Sequence, residues 1–209
     1  EICACLVGSE MCIRDSYWKP TFTWVIDELR VMNPIERQSK GIRPIMYNNG
    51  KNDLSIYTYL SDVCYQVRAH FEWNEHRPDL EKDRNENKHY AIAKRMLERG
   101  GRRDIFLGTR ECQGYIEPCI FGLGKGHYDD VSSLDLGLME HGITYADENG
   151  KGVMQERFWH PVMQNGKICF CRPEECEIVR DIHPQKMKTF TLGETVSDCD
   201  DLYLSLIHI

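Results

Sequence analysis

A chain of 209 residues, 41% hydrophobic and 28% charged, is long enough to bury a sizeable core as one large domain or two small ones. No window approaches the roughly eighteen apolar residues of a membrane span, and no basic n-region leads into an apolar stretch near the start, which points to the cytoplasm. The formal charge is −7, yet residues 77–110 carry ten Lys/Arg against six Asp/Glu, so this segment is +4 and the remainder −11. Such a cationic island is the footprint of a polyanion site on one face, or else a solvated helix face with ion pairs such as Glu98 with Lys94.

Residues 1–16, EICACLVGSEMCIRDS, show neither a helical period nor an alternation and are read as a non-native end, as are residues 201–209. From Tyr17 the pattern is legible. Tyr17-Trp18-Lys19-Pro20 closes a helix or turn, because proline biases its predecessor away from helical geometry. Thr21 to Met32, rich in β-branched and aromatic residues, is predicted as a strand ended by Asn33-Pro34. Residues 36–53, with Gly41, Pro44 and Asn48-Asn49-Gly50, form a loop or irregular hairpin. Val63 to Trp73 alternates with period two, which predicts a strand offering Arg68, His70 and Glu72 to solvent or a ligand.

A polar stretch then leads to an amphipathic helix from Asn85, capped by Asn85 or Asn87 and stopped at Gly100. Its expected buried stripe is Ala91, Ile92 and Met96, flanked by Tyr90, Ala93 and Leu97. Two short strands over 104–107 and 111–116 follow, then a glycine-rich linker over 122–131. The rest is a run of short strands over 134–139, 157–163 and 167–170, the last two joined by the hairpin signal Gln164-Asn165-Gly166. The ten cysteines lack the two close ligand pairs of a structural zinc site. Cys169 and Cys171 form a C-x-C, Cys176 stands apart, and all are read as reduced, mostly buried thiols.

Lys88 and His89 open the helix, where unpaired backbone N–H groups and the positive dipole end favour a phosphate and tend to keep the imidazole neutral. These parts suffice for RNA cleavage without a metal. A base takes the ribose 2′-hydroxyl proton, the oxygen attacks the adjacent phosphorus, a cation steadies the phosphorane, and an acid protonates the leaving 5′-oxygen. No close carboxylate cluster accompanies the pair, which argues against a metal-dependent route. Arg84, Arg95, Arg99, Arg102, Arg103 and Arg110 are the candidate phosphate contacts. The scheme requires Lys88 and His89 to face a cationic groove, not the interior.

The strings Tyr17-Trp18-Lys19-Pro20-Thr21-Phe22-Thr23, Tyr59-Leu60-Ser61-Asp62-Val63, His70-Phe71-Glu72-Trp73-Asn74-Glu75, Asn87-Lys88-His89 and GGRRDIFLGTREC over 100–112 closely resemble the fifth CRISPR-associated family in its subtype I-C (Dvulg-type) form, from Tyr17 to Ile182. This family belongs to the RAMP superfamily of repeat-associated RNA endonucleases. The resemblance implies an α+β fold, with a ferredoxin-like (RRM-type) domain over 17–121 and a small antiparallel β subdomain over 122–200. It implies cofactor-free cleavage of precursor CRISPR RNA by a tyrosine, a lysine and a histidine, which fall on Tyr17, Lys88 and His89. The partners implied are CRISPR repeat RNA, whose 5′ handle is retained, and the other subunits of a type I-C surveillance complex. A non-catalytic subunit that only holds the handle is the alternative. The family's first strand and most of its first helix should precede Tyr17, and residues 1–16 do not match them. The chain is therefore expected to be N-terminally truncated, with Tyr17 deprived of the helix that aims it.

Overall fold

The computed structural model describes residues 12–43, 54–99 and 103–204. The organising element is β1 (Phe22–Val31), which combines β-branched and aromatic residues with burial on both faces. It pairs antiparallel with β4 (Tyr65–Trp73) from Phe22↔Trp73 to Val31↔Tyr65, and a bulge between Ile26 and Glu28 turns Asp27 out of register. The alternation of β4 holds. Arg68, His70 and Glu72 are exposed, while Val67, Ala69, Phe71 and Trp73 are half-buried. Between β1 and β4, the predicted irregular hairpin is a regular one, β2 (Glu36–Ile42) on β3 (Ser55–Ser61), with residues 44–53 outside the described set.

The strand after the expected linker does not keep to its own subdomain. β11 (Lys167–Cys169) pairs with β1 through Leu29↔Ile168, and β10 (Val162–Gln164) and β7 (Leu134–Asp135) extend the sheet in the order β4-β1-β11-β10-β7. The five-stranded sheet thus draws on both halves of the chain. Asn165 and Gly166 both have positive φ, 48° and 76°, as the two-residue hairpin turn between β10 and β11 requires. A second antiparallel sheet holds β8 (Met139–Thr144), β9 (Val153–Trp159) and β12 (Ile178–Pro184) in the order β12-β9-β8. A small pair, β5 (Ile105–Phe106) with β6 (Gln113–Gly114), matches the short strands expected there.

Helices are few. The described end of α1 covers residues 12–16, so part of the stretch that sequence placed on no element is helical and delivers the chain to Tyr17, whose N–H donates to the Ile13 carbonyl at 3.0 Å. α2 (Glu86–Arg99) is capped by Asn85, whose Oδ1 accepts from the Lys88 N–H at 3.2 Å. α3 (Ala146–Asn149) and α4 (Cys199–Leu204) are short, and no helix among the described residues is long and apolar enough to cross a membrane. The architecture is mixed α/β with mostly antiparallel sheets.

Two apolar clusters hold these layers. One joins Leu29, Val31, Met139, Trp159, Met163 and Ile168 between the sheets. The other joins Tyr17, Phe22, Ile92, Ala93 and Cys199 beneath α2. Each fully buried Leu, Ile or Phe in them contributes about 1.5–3 kcal/mol. The glycine-rich stretch 122–131 is clamped to β1: buried Arg30 donates to the Asp129 carboxylate at 2.7 Å and to the Gly124 carbonyl at 2.8 Å, and the Arg30–Asp129 pair holds the Asp129 carboxyl below the usual range.

Candidate functional site

α2 buries a narrower stripe than its apolar residues suggest. His89, Ile92 and Ala93 point inward with Met96 beside them, whereas Tyr90 is exposed. His89 therefore lies on the core face, one turn before Ile92, and is 0% exposed. Its ring stands edge-on to Phe22, Phe71 and Trp73 at centroid distances of 5.2–6.2 Å.

Both ring nitrogens are engaged. Nε2 is 2.6 Å from the Asp83 backbone oxygen. A carbonyl only accepts, so Nε2 carries the proton and Nδ1 offers a lone pair. That lone pair receives the Tyr17 hydroxyl at 2.7 Å. Tyr17 is itself 1% exposed, held where α1 ends and before β1 begins. Burial lowers the His89 pKa, with the Asp83 carbonyl working in the opposite direction, so the imidazole is neutral at physiological pH.

Asp83, at the end of a 3-10 turn (Pro78–Asp83), is the hub beneath this pair. Its carboxylate accepts from Lys19 Nζ and Thr21 Oγ1, each at 2.6 Å, and from the Cys199 N–H at 2.7 Å, with Lys19 2% and Asp83 0% exposed. The buried ion pair thus satisfies its hydrogen bonds, as a charge removed from water requires. Sequence reading passed over Asp83, Thr21 and Cys199 because their partners lie 62–116 residues away and leave no local spacing to find. Lys19 and Thr21 stood in the family-like string but carried no assigned role. Asp83, His89 and Cys199 are close enough to resemble a metal cluster. However, the Asp83 and His89 atoms are already committed to Lys19, Thr21, Tyr17 and the backbone, the Cys199 thiol donates to the Asp200 carboxylate at 3.6 Å, and burial pushes that thiol up to about 12.

Lys88 does not join the Tyr17–His89 pair. It projects from the adjacent helical position and donates to the Asp200 carboxylate of α4, which raises the Lys88 pKa and lowers that of Asp200. Residues 197–202 cover the site: the Ser197 carbonyl accepts from Lys19 at 2.7 Å, and Leu202 packs against the apolar cluster. The expectation that His89 lines an open groove is therefore corrected. The aromatic box, the Asp83 hub and this covering segment enclose it.

The six arginines are not equivalent. Arg99, Arg103 and Arg110 are exposed, and Arg103 lines a cavity of about 620 Å³ with Arg14, Trp18, Lys19 and Lys188. Arg84 instead braces the chain, donating to the Asn74 carbonyl at 2.9 Å, and Arg95 is half-buried. Arg102 lies outside the described residues.

A family model described as CRISPR-associated protein (Cas_Cas5) matches residues 2–171. Among solved structures, one titled "Crystal Structure of CRISPR-associated Protein" is 38% identical at a TM-score of 0.70, covering 83% of this chain and 82% of its own. A functionally uncharacterized protein from Streptococcus mutans, SMU1763c, is 41% identical at a TM-score of 0.68 with the same coverage. No curated protein matches. A family match over most of the sequence, together with a fold shared at these identities, places the chain in the CRISPR-associated protein (Cas_Cas5) family.

Proposed function

We propose that the chain is an endoribonuclease that cleaves precursor CRISPR RNA within its repeat and then holds the 5′ handle in a type I-C surveillance complex. The observation that carries this reading is the Tyr17–His89 hydrogen bond, which joins two ends of a 72-residue separation into one proton-transfer unit beside Lys88. Neutral His89 takes the Tyr17 proton as Tyr17 takes that of the ribose 2′-hydroxyl. The alkoxide attacks the neighbouring phosphorus, leaving a cyclic phosphate. The imidazolium, 3.7 Å from the Asp83 carboxylate, is stabilised until its proton passes to the leaving 5′-oxygen. Lys88 exchanges Asp200 for the phosphate and steadies the phosphorane charge. In this conformation His89 lies in the interior, against the requirement that it face a groove, so the reading stands only if residues 197–204 lift to expose the pair. The ferredoxin-like description of residues 17–121 belongs to the same proposal, with residues 122–200 supplying the second sheet and three strands of the first.

A second reading, a subunit that holds the handle without cutting, is favoured by the complete burial of His89 and by the engagement of Lys88. Incubating repeat RNA with the protein in EDTA separates them. The endoribonuclease gives a product that disappears when the scissile nucleotide is 2′-deoxy. The handle-binding subunit retains RNA uncut.

A further inference from the structure

A second cluster of chemistry-bearing groups lies between the two sheets, away from Tyr17 and His89. His141, on β8, is 8% exposed and wedged against Trp159 and Phe170 at centroid distances of 5.4 and 5.7 Å. Its Nε2 lies 2.9 Å from the Cys171 carbonyl, so Nε2 carries the proton and Nδ1 keeps a lone pair. That Nδ1 is buried and has no hydrogen-bond partner. Beside the ring, the sulfurs of Cys171 and Cys176 are 4.0 Å apart, and a His141 nitrogen and both sulfurs lie within 4.8 Å of one another.

The separations discriminate between two chemistries. A disulfide needs about 2.05 Å between sulfurs. Two thiolates on a tetrahedral zinc ion, each about 2.3 Å from the metal, stand roughly 3.8 Å apart. The observed spacing excludes a disulfide; it is that of two reduced thiols in hydrogen-bond contact and is close to what a zinc dithiolate needs, so metal binding requires little movement of either sulfur. The loop between the cysteines is also preformed, since the 3-10 turn Pro173–Glu175 is closed by Arg172 N–H to Glu175 Oε2 at 2.9 Å and Glu175 N–H to the Arg172 carbonyl at 2.9 Å. The bond from Nε2 to a backbone carbonyl is the outer contact that orients a ligating histidine and fixes its tautomer.

The geometry points to a zinc(II) site formed by His141 Nδ1, Cys171 Sγ and Cys176 Sγ. Binding releases one proton from each thiol to solvent, and the two thiolates balance the ion's charge. Arg157 lines the same cavity as His141 and Cys171 and brings a positive charge near the thiolates. The site borders a cavity of about 510 Å³ lined also by Glu174, so a water or that carboxylate completes the coordination. The ion ties β8 of one sheet to the chain leaving β11 of the other. This inference stands apart from the nuclease reading.

The test is titration of the reduced, metal-free full chain with cobalt(II), then zinc(II). One equivalent of cobalt giving thiolate-to-metal charge-transfer absorption, bleached by zinc, is the expected result, together with a rise in Tm on adding zinc. Cys171→Ser and Cys176→Ser should each lose the absorption, while Cys169→Ser, at the exposed neighbouring cysteine, should keep it. Because the wild-type spectrum needs no variant to fold, it decides by itself. Absence of stoichiometric charge transfer in the reduced wild type overturns the site, as does its survival in the Cys171→Ser/Cys176→Ser double variant.

Discussion

Tyr17 Oη donates to His89 Nδ1 at 2.7 Å inside a box of aromatic rings, so altering Tyr17 deprives the buried imidazole nitrogen of its donor. Tyr17→Phe removes the donor and keeps the ring. Stranding the imidazole nitrogen should cost about 1–3 kcal/mol in urea unfolding. Loss of the proton relay should slow single-turnover cleavage of repeat RNA by about 10²–10⁴-fold, with RNA affinity unchanged. A rate within a few-fold of wild type would remove Tyr17 from the chemistry.

Lys88 and Asp200 should show opposite effects. Lys88→Ala deletes the cation proposed for the phosphorane and is expected to abolish cleavage while leaving Tm unaltered, since the pair is exposed. Asp200→Asn frees Lys88 and loosens the cover, so its expected outcome is cleavage several-fold faster than wild type. If Asp200→Asn cuts more slowly, the covering segment supports the site and does not occlude it.

His89 also makes stability depend on pH with a definite sign. Its folded pKa lies below the unfolded value of about 6.5, so the unfolded chain binds the extra proton. The contribution is therefore complete above about pH 6.5 and is lost as pH falls below it, by up to about 1.4 kcal/mol per pH unit. His70 works oppositely. Its pKa is raised by Asp27 and Glu72 against the burial that lowers it, so it favours the fold at acid pH. Urea midpoints across this range should fall less steeply in His89→Gln than in wild type. Parallel curves would show that His89 is not the titrating group.

The Lys19–Asp83 pair should be worth most when only half of it is removed. Asp83→Ala leaves a buried ammonium and is expected to cost about 3–5 kcal/mol. The Lys19→Met/Asp83→Ala double variant should be less unstable than the sum of the single changes. Additive losses in a double-mutant cycle would mean that the two charges do not interact.

The arginines can be sorted by salt dependence. Replacing exposed Arg103 with Ala should weaken RNA binding on any sequence and reduce the log–log salt slope by about one. Arg84→Ala should leave the slope intact and lower Tm instead, because its guanidinium is spent on the Asn74 carbonyl.

Several of these features are legible in the sequence. The alternation of β4, the Asn-Gly hairpin and the Asn85 cap are local signals, and each appears where the pattern put it. The inward turn of His89 escapes the sequence reading: positions 89, 92, 93 and 96 share one helical face, but a polar residue at the head of that row reads as surface unless a buried partner is known. No local spacing could give that partner, since Asp83 and Tyr17 meet His89 only through tertiary folding. The same reason hid the third ligand position at His141, 30 residues from Cys171, and made the cysteine spacing look empty.

The pairing of β1 with β11 also constrains the order of events during synthesis. Some 135 residues separate the two strands, so a chain emerging from the ribosome carries one bare flank of β1, with its row of free amide and carbonyl groups, until β11 has been made. Interrupted translation would release a half-sheet primed to recruit another copy of itself, which makes a slow or chaperoned finish to elongation the condition for soluble yield.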